Sequence, residues 1–468
     1  MSRVTTLLPA TEAATPIRCV DAAGWPAVLA TLPPLAAAFA QASGFEAKPG
    51  RIALLPGADG RLETVLFGIE DKGKGKGDDK GKGDAFAVGR LPDALPEGTY
   101  RLADYPGDPA LAALAWRLSG YRFGRYRERA APTARLAVPA GVDAAEIDRI
   151  ADAVAAGRDL VNTPANDLGP AEIEAAARAL AGRFGAACTV VEGEALETGF
   201  PLIAAVGRAS PRAPRLIDIT WGDPSAPRVT LVGKGVVFDT GGLDIKPSAA
   251  MLLMKKDMAG AAVALAAAEM VMGAGLPVRL RVLVPTVENA VAGDAFRPGD
   301  VLKSRHGLTV EIGNTDAEGR LILADALSLA DEEAPELVFD FATLTGAARV
   351  ALGPDLPALF TEDDALAAEL AATGLAVNDP VWRMPLWAPY AGLLDSKVAD
   401  LNNVSGGPFA GAVTAALFLR RFAPAAKAHV HLDLYGWNPS AKPGRPEGGE
   451  VQTARLVYAL LKARYGAR

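Results

Sequence analysis

The sequence predicts an α/β protein: a smaller N-terminal α/β domain, then a larger α/β domain whose mostly parallel central sheet is flanked by helices. Three observations lead there. The chain has 468 residues and half of them are apolar, which is more than a single core uses. From about residue 160 to the end, strand-like and helix-like patterns alternate. The strand-like runs are β-branched or Leu-rich with few polar breaks, as in strands covered on both faces.

The elements follow in order. Up to the region of Gly141 the chain reads as the small α/β unit, with strands at 51–55 and 63–69 and a helix at 109–120. The run 71–84 alternates Lys, Gly and Asp with no apolar residue and reads as a flexible loop between two strands. Its interspersed Asp residues dilute the positive field that a nucleic-acid-binding arm needs. An Ala- and Pro-rich stretch at 130–141 marks a boundary, and 143–157 is an amphipathic helix. The expected organisation is therefore an N-terminal domain at 1–140, a linking helix at 141–158 and a larger domain at 159–468. Within the last, helices are expected at 170–185, 259–273, 320–333, 411–422 and 451–464. Strands are expected at 229–232, 279–285, 309–312, 337–342 and 429–434. The alternation places the strands side by side in one sheet.

Bulk properties narrow the function. A formal net charge of −7 gives no general attraction for nucleic acid or anionic membranes. The two cysteines, Cys19 and Cys188, are far apart and form no CxxC, which argues against a disulfide framework or a thiolate zinc site. The first residues lack the basic and apolar regions of a signal peptide. The uniformly apolar runs at 258–268 and 409–419 are too short to cross a bilayer. A soluble cytoplasmic protein is expected.

Three polar clusters follow expected strands: Lys234 and Asp239; Asp316, Glu318 and Arg320; and Thr343, Thr345 and Gly346. Ligands of open α/β sheets bind beyond the carboxyl ends of the strands, so the three clusters are candidates for one cleft. Asp316, Glu318 and Arg320 are spaced by two, and in an extended backbone they face one way. Two hard oxygen ligands beside a fixed positive charge suggest a metal site that handles an anion or a polarised carbonyl. The glycines around Lys234 match neither a phosphate loop nor a dinucleotide fingerprint; they allow tight turns beside a bound group.

Asp257 precedes a long apolar helix, which makes it a candidate N-cap as well as a site residue. His429 and His431 flank Val430 in a strand and share a face; they read as a metal pair or as hydrogen-bonded structural residues. No His-Glu-x-x-His, Gly-x-Ser-x-Gly or cysteine motif is present, which leaves a carboxylate-bound metal centre as the route for a hydrolase.

From about residue 155 onward the chain resembles the leucyl aminopeptidase family, the M17 metallopeptidases also called cytosol aminopeptidases. The resemblance rests on Val232-Gly233-Lys234-Gly235 to Phe238-Asp239-Thr240-Gly241-Gly242, Met254 to Asp257-Met258-Ala259-Gly260-Ala261-Ala262, and Asn314 to Leu321. Val161-Asn162-Thr163-Pro164-Ala165-Asn166 and Ala399-Asp400-Leu401-Asn402-Asn403 add to it. The N-terminal part matches only in its α/β character, and the loop at 438–450 departs from the family form near the specificity pocket.

The resemblance implies an aminopeptidase that releases N-terminal residues from peptides in peptide turnover. Two divalent metals, Mn2+ or Zn2+, would share a water and lower its pKa. Asp239 and Glu318 would bridge them, Asp316 would complete one shell, and Lys234 and Asp257 the other. Read from its residue type alone, Lys234 is an anion binder; as a neutral ligand it needs an adjacent dication. Lys246 would stabilise the developing oxyanion. Arg320 would hold a bicarbonate ion that serves as general base. Asn314, Thr343, Leu344 and Gly346 match substrate-orienting positions. Met254 matches a position lining the pocket for the first side chain, with core gap-filling as its alternative. The implied partners are peptides with a free N-terminus and further copies of the chain in a homo-hexamer; charge and the short apolar runs argue against membrane and nucleic acid. The alternatives are a two-metal phosphoesterase and a DNA-binding regulator of the same fold.

Overall fold

A computed structural model describes residues 7–10, 13–70 and 84–466. Nearly all of the Lys/Gly/Asp run, 71–83, lies outside the described residues. The chain divides into two compact units, Met1–Ala155 with Ser440–Glu447, and Ala156–Pro439 with Gly448–Arg468.

The smaller unit holds a five-stranded sheet in the order Ile52–Pro56, Leu62–Gly68, Thr15–Val20, Gly98–Leu102, Ala134–Leu136. Only the first pair is antiparallel. Helix Pro109–Ser119 starts where the Asp108 carboxylate accepts from the Ala110 and Leu111 amides, and it buries Trp116. Cys19 is buried, Cys188 is partly buried in the other unit, and both are free thiols.

The larger unit is built on a sheet in the order Trp382–Arg383, Ala358–Phe360, His429–Asp433, Leu337–Ala342, Arg228–Gly233, Arg279–Asn289, Arg215–Trp221, Ala187–Glu192. Its centre is parallel: Arg228–Gly233 pairs in parallel with Leu337–Ala342 and Arg279–Asn289, and Leu337–Ala342 with His429–Asp433. Antiparallel pairings lie toward the edges. Every residue of Leu337–Ala342 is buried, which explains its unbroken apolar pattern.

One helix on the sheet is Ala259–Gly273, in which every residue but the last is buried. Its small side chains bring it close to the strands. A Cβ on Gly260 would meet the Phe341 carbonyl oxygen at 2.1 Å, so only glycine fits at that crossing. Helix Gly319–Asp331 buries Leu321, Ile322 and Leu323 in a second part of the core with Leu202, Ile203 and Leu283.

One expected strand lies elsewhere. Thr309–Glu311 belongs to a separate three-stranded sheet with Val301–Lys303 and Leu401–Asn402, not to the central sheet. The run is short, and the Asp400 carboxylate ties down the Thr309 amide and hydroxyl. No helix among the described residues is long and apolar enough to cross a membrane.

Candidate active site

The central strands and two helices deliver the polar clusters to one place. Strand Arg228–Gly233 leads directly into Lys234, and strand Gly235–Asp239 ends on Asp239. Asp257 stands just before helix Ala259–Gly273, and Glu318 is the residue from which helix Gly319–Asp331 starts. The close helix–strand crossing at Gly260 sets Asp257 beside Lys234. A Cβ on Gly319 would lie 2.6 Å from Lys234 Nζ, so glycine there leaves the amine room to reach Glu318.

The resulting contacts are short and buried. Lys234 Nζ lies 2.8 Å from Asp257 Oδ2 and 3.0 Å from Glu318 Oε1, and donates to the Thr343 carbonyl. Lys246 Nζ lies 2.8 Å from Asp239 Oδ2 and also pairs with Asp316. One carboxylate oxygen from each of Asp239, Asp316 and Glu318 lies within 4.8 Å of the others. The supporting groups are fixed in turn. Asn289 Nδ2 and the Gly241 amide each donate to Asp239 Oδ1 at 2.8 Å. Thr343 Oγ1 donates to Asp257 Oδ1 at 2.7 Å. Gly241 and Gly242 both take positive φ, +88° and +65°, and this turn folds the chain back after Asp239.

Burial opposes charge throughout this cluster. It pushes the Glu318 and Asp316 carboxyls above their usual range, and the nearby Asp239 charge pushes the same way. For Lys234 burial favours the neutral amine, but Asp257, Glu318 and Asp239 outweigh it and raise its pKa. Lys246 follows the same pattern, with Asp239 and Asp316 as its partners.

In the cluster itself four carboxylates face two ammonium groups, while Lys256, Arg320 and Arg349 line other parts of the same cavity. Asp257 Oδ2, Asp316 Oδ1 and Glu318 Oε1 are buried and meet no partner in hydrogen-bond geometry, although each lies at ion-pair distance of a lysine. Clustered hard oxygens with open lone pairs are the donor set that divalent cations take. The residues therefore fit the metals that the sequence implies.

All of these groups line one cavity of about 640 Å³. Asn314, Thr343, Leu344, Gly346 and Met254 line it too, so every site residue singled out in the sequence faces the same space. Arg320 lies between this cavity and a second one of about 660 Å³. Its Nη1 donates to the Asn403 carbonyl at 2.7 Å, while its Nε is buried without a partner. Burial lowers the guanidinium to about 10. With no carboxylate at ion-pair distance among the described residues, it is equipped to hold a small planar anion.

Some local expectations are corrected. Asp316, Glu318 and Arg320 do not share an extended backbone. Glu318 has helical dihedrals, φ −75° and ψ −34°, and Arg320 lies in the first turn of the helix. The three converge because a turn swings the chain, held by the Asn314 side chain accepting from the Asp316 amide and by Asn403 bonding to both Gly313 and Asn314. Asp257 is not an N-cap: Met258 holds that position and makes no side-chain cap. His429 and His431 take the structural alternative, each bonded to one oxygen of Asp340. Leu434 and Tyr435 line the cavity.

The sequence reading missed Asn289, Lys256, Arg349 and Tyr435. Lys256 and Asn289 are buried polar residues, but neither lies in one of the polar clusters that follow expected strands.

Clustered carboxylates beyond the ends of parallel strands, beside two lysines, are placed to hold divalent metals for hydrolysis. The comparisons are more specific. Residues 155–461 match the model of the cytosol aminopeptidase family catalytic domain, and residues 15–139 match the M17 aminopeptidase N-terminal domain. A probable cytosol aminopeptidase of Syntrophotalea carbinolica is 45% identical over 326 residues, which cover 68% of this chain and 65% of that protein. The chain thus spans just under two thirds of that curated relative. The crystal structure of a cytosol aminopeptidase from Coxiella burnetii superposes with a TM-score of 0.93 at 45% identity, covering 98% of this chain and 99% of the other. The bottromycin maturation enzyme BotP, solved in complex with Mn, gives 0.85 at 35% identity, with 97% and 100% covered. The chain belongs to the cytosol aminopeptidase family. Within that family its two-unit α/β architecture is the expected one, and the aminopeptidase reading is favoured over the phosphoesterase and DNA-binding alternatives.

Proposed function

We propose that the chain is a metal-dependent aminopeptidase that removes the N-terminal residue of peptides in the cytoplasm. The observation that carries the reading is the convergence of Asp239, Asp316 and Glu318 within 4.8 Å of one another, in a chain of this family. Asp239, Asp316 and Glu318, with Lys234 and Asp257 beside them, would hold the divalent cations. Mn2+ is the first candidate, because BotP was solved with Mn; Zn2+ is the second. Bound there, the cations supply Lewis acidity toward a peptide carbonyl and a water.

The chain's own groups do the rest. Asn289 and the Gly241 amide fix the orientation of Asp239, and Thr343 fixes Asp257. Lys246 places a positive charge on the cavity wall beside Asp239, where it stabilises charge growing on the scissile carbonyl oxygen. Arg320 offers an unpartnered, buried Nε to a planar anion such as bicarbonate. Asn314, Leu344 and Gly346 line the space in which the peptide is oriented, and Met254 lines that of its first side chain. Family resemblance supports a homo-hexamer, which sedimentation measures directly.

The decisive experiment assays the enzyme supplied with Mn2+ or Zn2+ on free and N-acetylated peptides and on a phosphate ester. Release of the first residue from free peptides only is expected, lost in chelator and restored by one of the metals. Phosphate-ester turnover without peptide cleavage would overturn the reading.

A further inference from the structure

The cavity wall beside Met254 carries two cations that the proposed chemistry does not use. Lys256 is 5% exposed, yet among the described residues its ammonium has no hydrogen bond and no ion pair. Its partner is the Tyr435 ring, 4.8 Å from Nζ to the centroid. Arg349 lies over the same ring at 5.4 Å, and its guanidinium likewise has no carboxylate at ion-pair distance. Lys256, Arg349 and Tyr435 all line the cavity that holds the carboxylate cluster.

The carboxylates whose fields reach Lys256, Asp257 and Asp433, are already engaged. Asp257 pairs with Lys234 and accepts from Thr343. Asp433 accepts from the Leu344 and Thr345 amides and the Thr345 hydroxyl. A buried ammonium without a counter-ion is costly. Lys256 and the exposed Arg349 both lie over the Tyr435 ring on the cavity wall, and the buried ammonium has an unmet need for an anion.

We propose that Lys256 and Arg349, braced on Tyr435, form a subsite for a carboxylate of the substrate. The inference rests on the aminopeptidase reading for its substrate class and refines it: the favoured peptide brings a carboxylate to this wall. Two sources share that chemistry, the side chain of an N-terminal Glu or Asp and the C-terminal carboxylate of a short peptide. Tyr435 supplies the platform. The ring holds both cations by cation–π attraction while their N–H donors stay available to an oxyanion.

The test compares matched ligands on the metal-loaded enzyme. Turnover of Glu- against Gln-peptides reads the first source, and Leu-Gly against Leu-Gly-amide the second. Titration with free L-glutamate and L-glutamine reads binding without turnover. One carboxylate source is expected to be favoured by about 10-fold or more over its neutral partner, as for a charge-assisted hydrogen bond in a shielded site. That ratio should fall toward one in Lys256→Met and in Arg349→Met. Arg349 is exposed, so its variant keeps the test valid if Lys256→Met folds poorly. Equal handling of both pairs by the parent, or a preference that survives both substitutions, overturns the proposal. Glutamate binding preferred over glutamine and lost in the variants, with no peptide cleaved, supports the subsite and refutes the aminopeptidase reading instead.

Discussion

Asp340 and Glu318 are both carboxylates wholly buried in the larger unit, and their surroundings differ. Asp340 meets two imidazoles, one on each oxygen, with His429 Nε2 at 2.6 Å and His431 Nδ1 at 2.5 Å. Burial would push its carboxyl up, but His431 and His429 outweigh that and hold it at about 2. Glu318 meets one lysine, shared with Asp257, and faces Asp239 and Asp316. Its pKa moves the other way. A buried charge that its neighbours fully satisfy contributes to the fold. A buried charge crowded by others of its own sign is held in place by the rest of the structure, and it is available to a ligand.

The strongest way to break this contrast is to neutralise each carboxylate by an isosteric change. Glu318→Gln should cut peptide hydrolysis by more than about 100-fold, since losing a ligand should exceed the cost of losing a group that merely orients one. The metal-free variant should melt at or above the temperature of the metal-free parent, because one of three mutually repelling carboxylates is gone while Lys234 keeps Asp257. A large fall in melting temperature without metal would show that Glu318 is as structural as Asp340. Asp340→Asn should do the opposite. It removes a paired charge from between two histidines and should cost of order 3 kcal/mol of stability, read by denaturant unfolding. Its Mn2+ affinity should stay near the parent's, because Asp340 contacts none of the residues assigned to the metals.

The two clusters also differ in how far the sequence discloses them. Lys234, Asp239, Asp257, Asp316 and Glu318 stand out because charged residues interrupt apolar or glycine-rich runs, and motif resemblance orders them. Helix Ala259–Gly273 and strand Leu337–Ala342 fall where their patterns place them, since burial on all sides leaves a long, clean signal. Ala187–Glu192 and Arg215–Trp221 were not seen; they are only partly buried and carry polar residues. The turn that aims Asp316 and Glu318 depends on Asn403, far along the chain, and no local pattern encodes that bond. The same holds for Asp340. Nothing near it in sequence announces two histidines that reach it only through the parallel register pairing Asp340 with His431. Tyr435 meets Lys256 and Arg349 across three segments, which is why that wall of the cavity emerged only from the fold.

A smaller effect sharpens the comparison through pH. Asp340 has a folded pKa depressed from 3.8 to about 2, so its contribution is present above its unfolded value and is lost as pH falls through about 2. A shift of that size corresponds to about 2 kcal/mol. For His431 burial favours the neutral ring, but Asp340 outweighs it and raises the pKa above 6.5. That contribution is present below 6.5 and is lost as pH rises through the raised value. The pairing is therefore fully stabilising between about pH 4 and 6.5. The difference in melting temperature between the parent and Asp340→Asn should be widest in that window and narrow on either side. Asp433 and Arg320 also act on His431, in opposite senses, and both remain in the variant, so they shift the window without creating it. A difference that stays flat from about pH 3 to 9 would mean that Asp340 holds its histidines as a neutral hydrogen-bond acceptor. The contrast with Glu318 would then be one of geometry alone, not of charge.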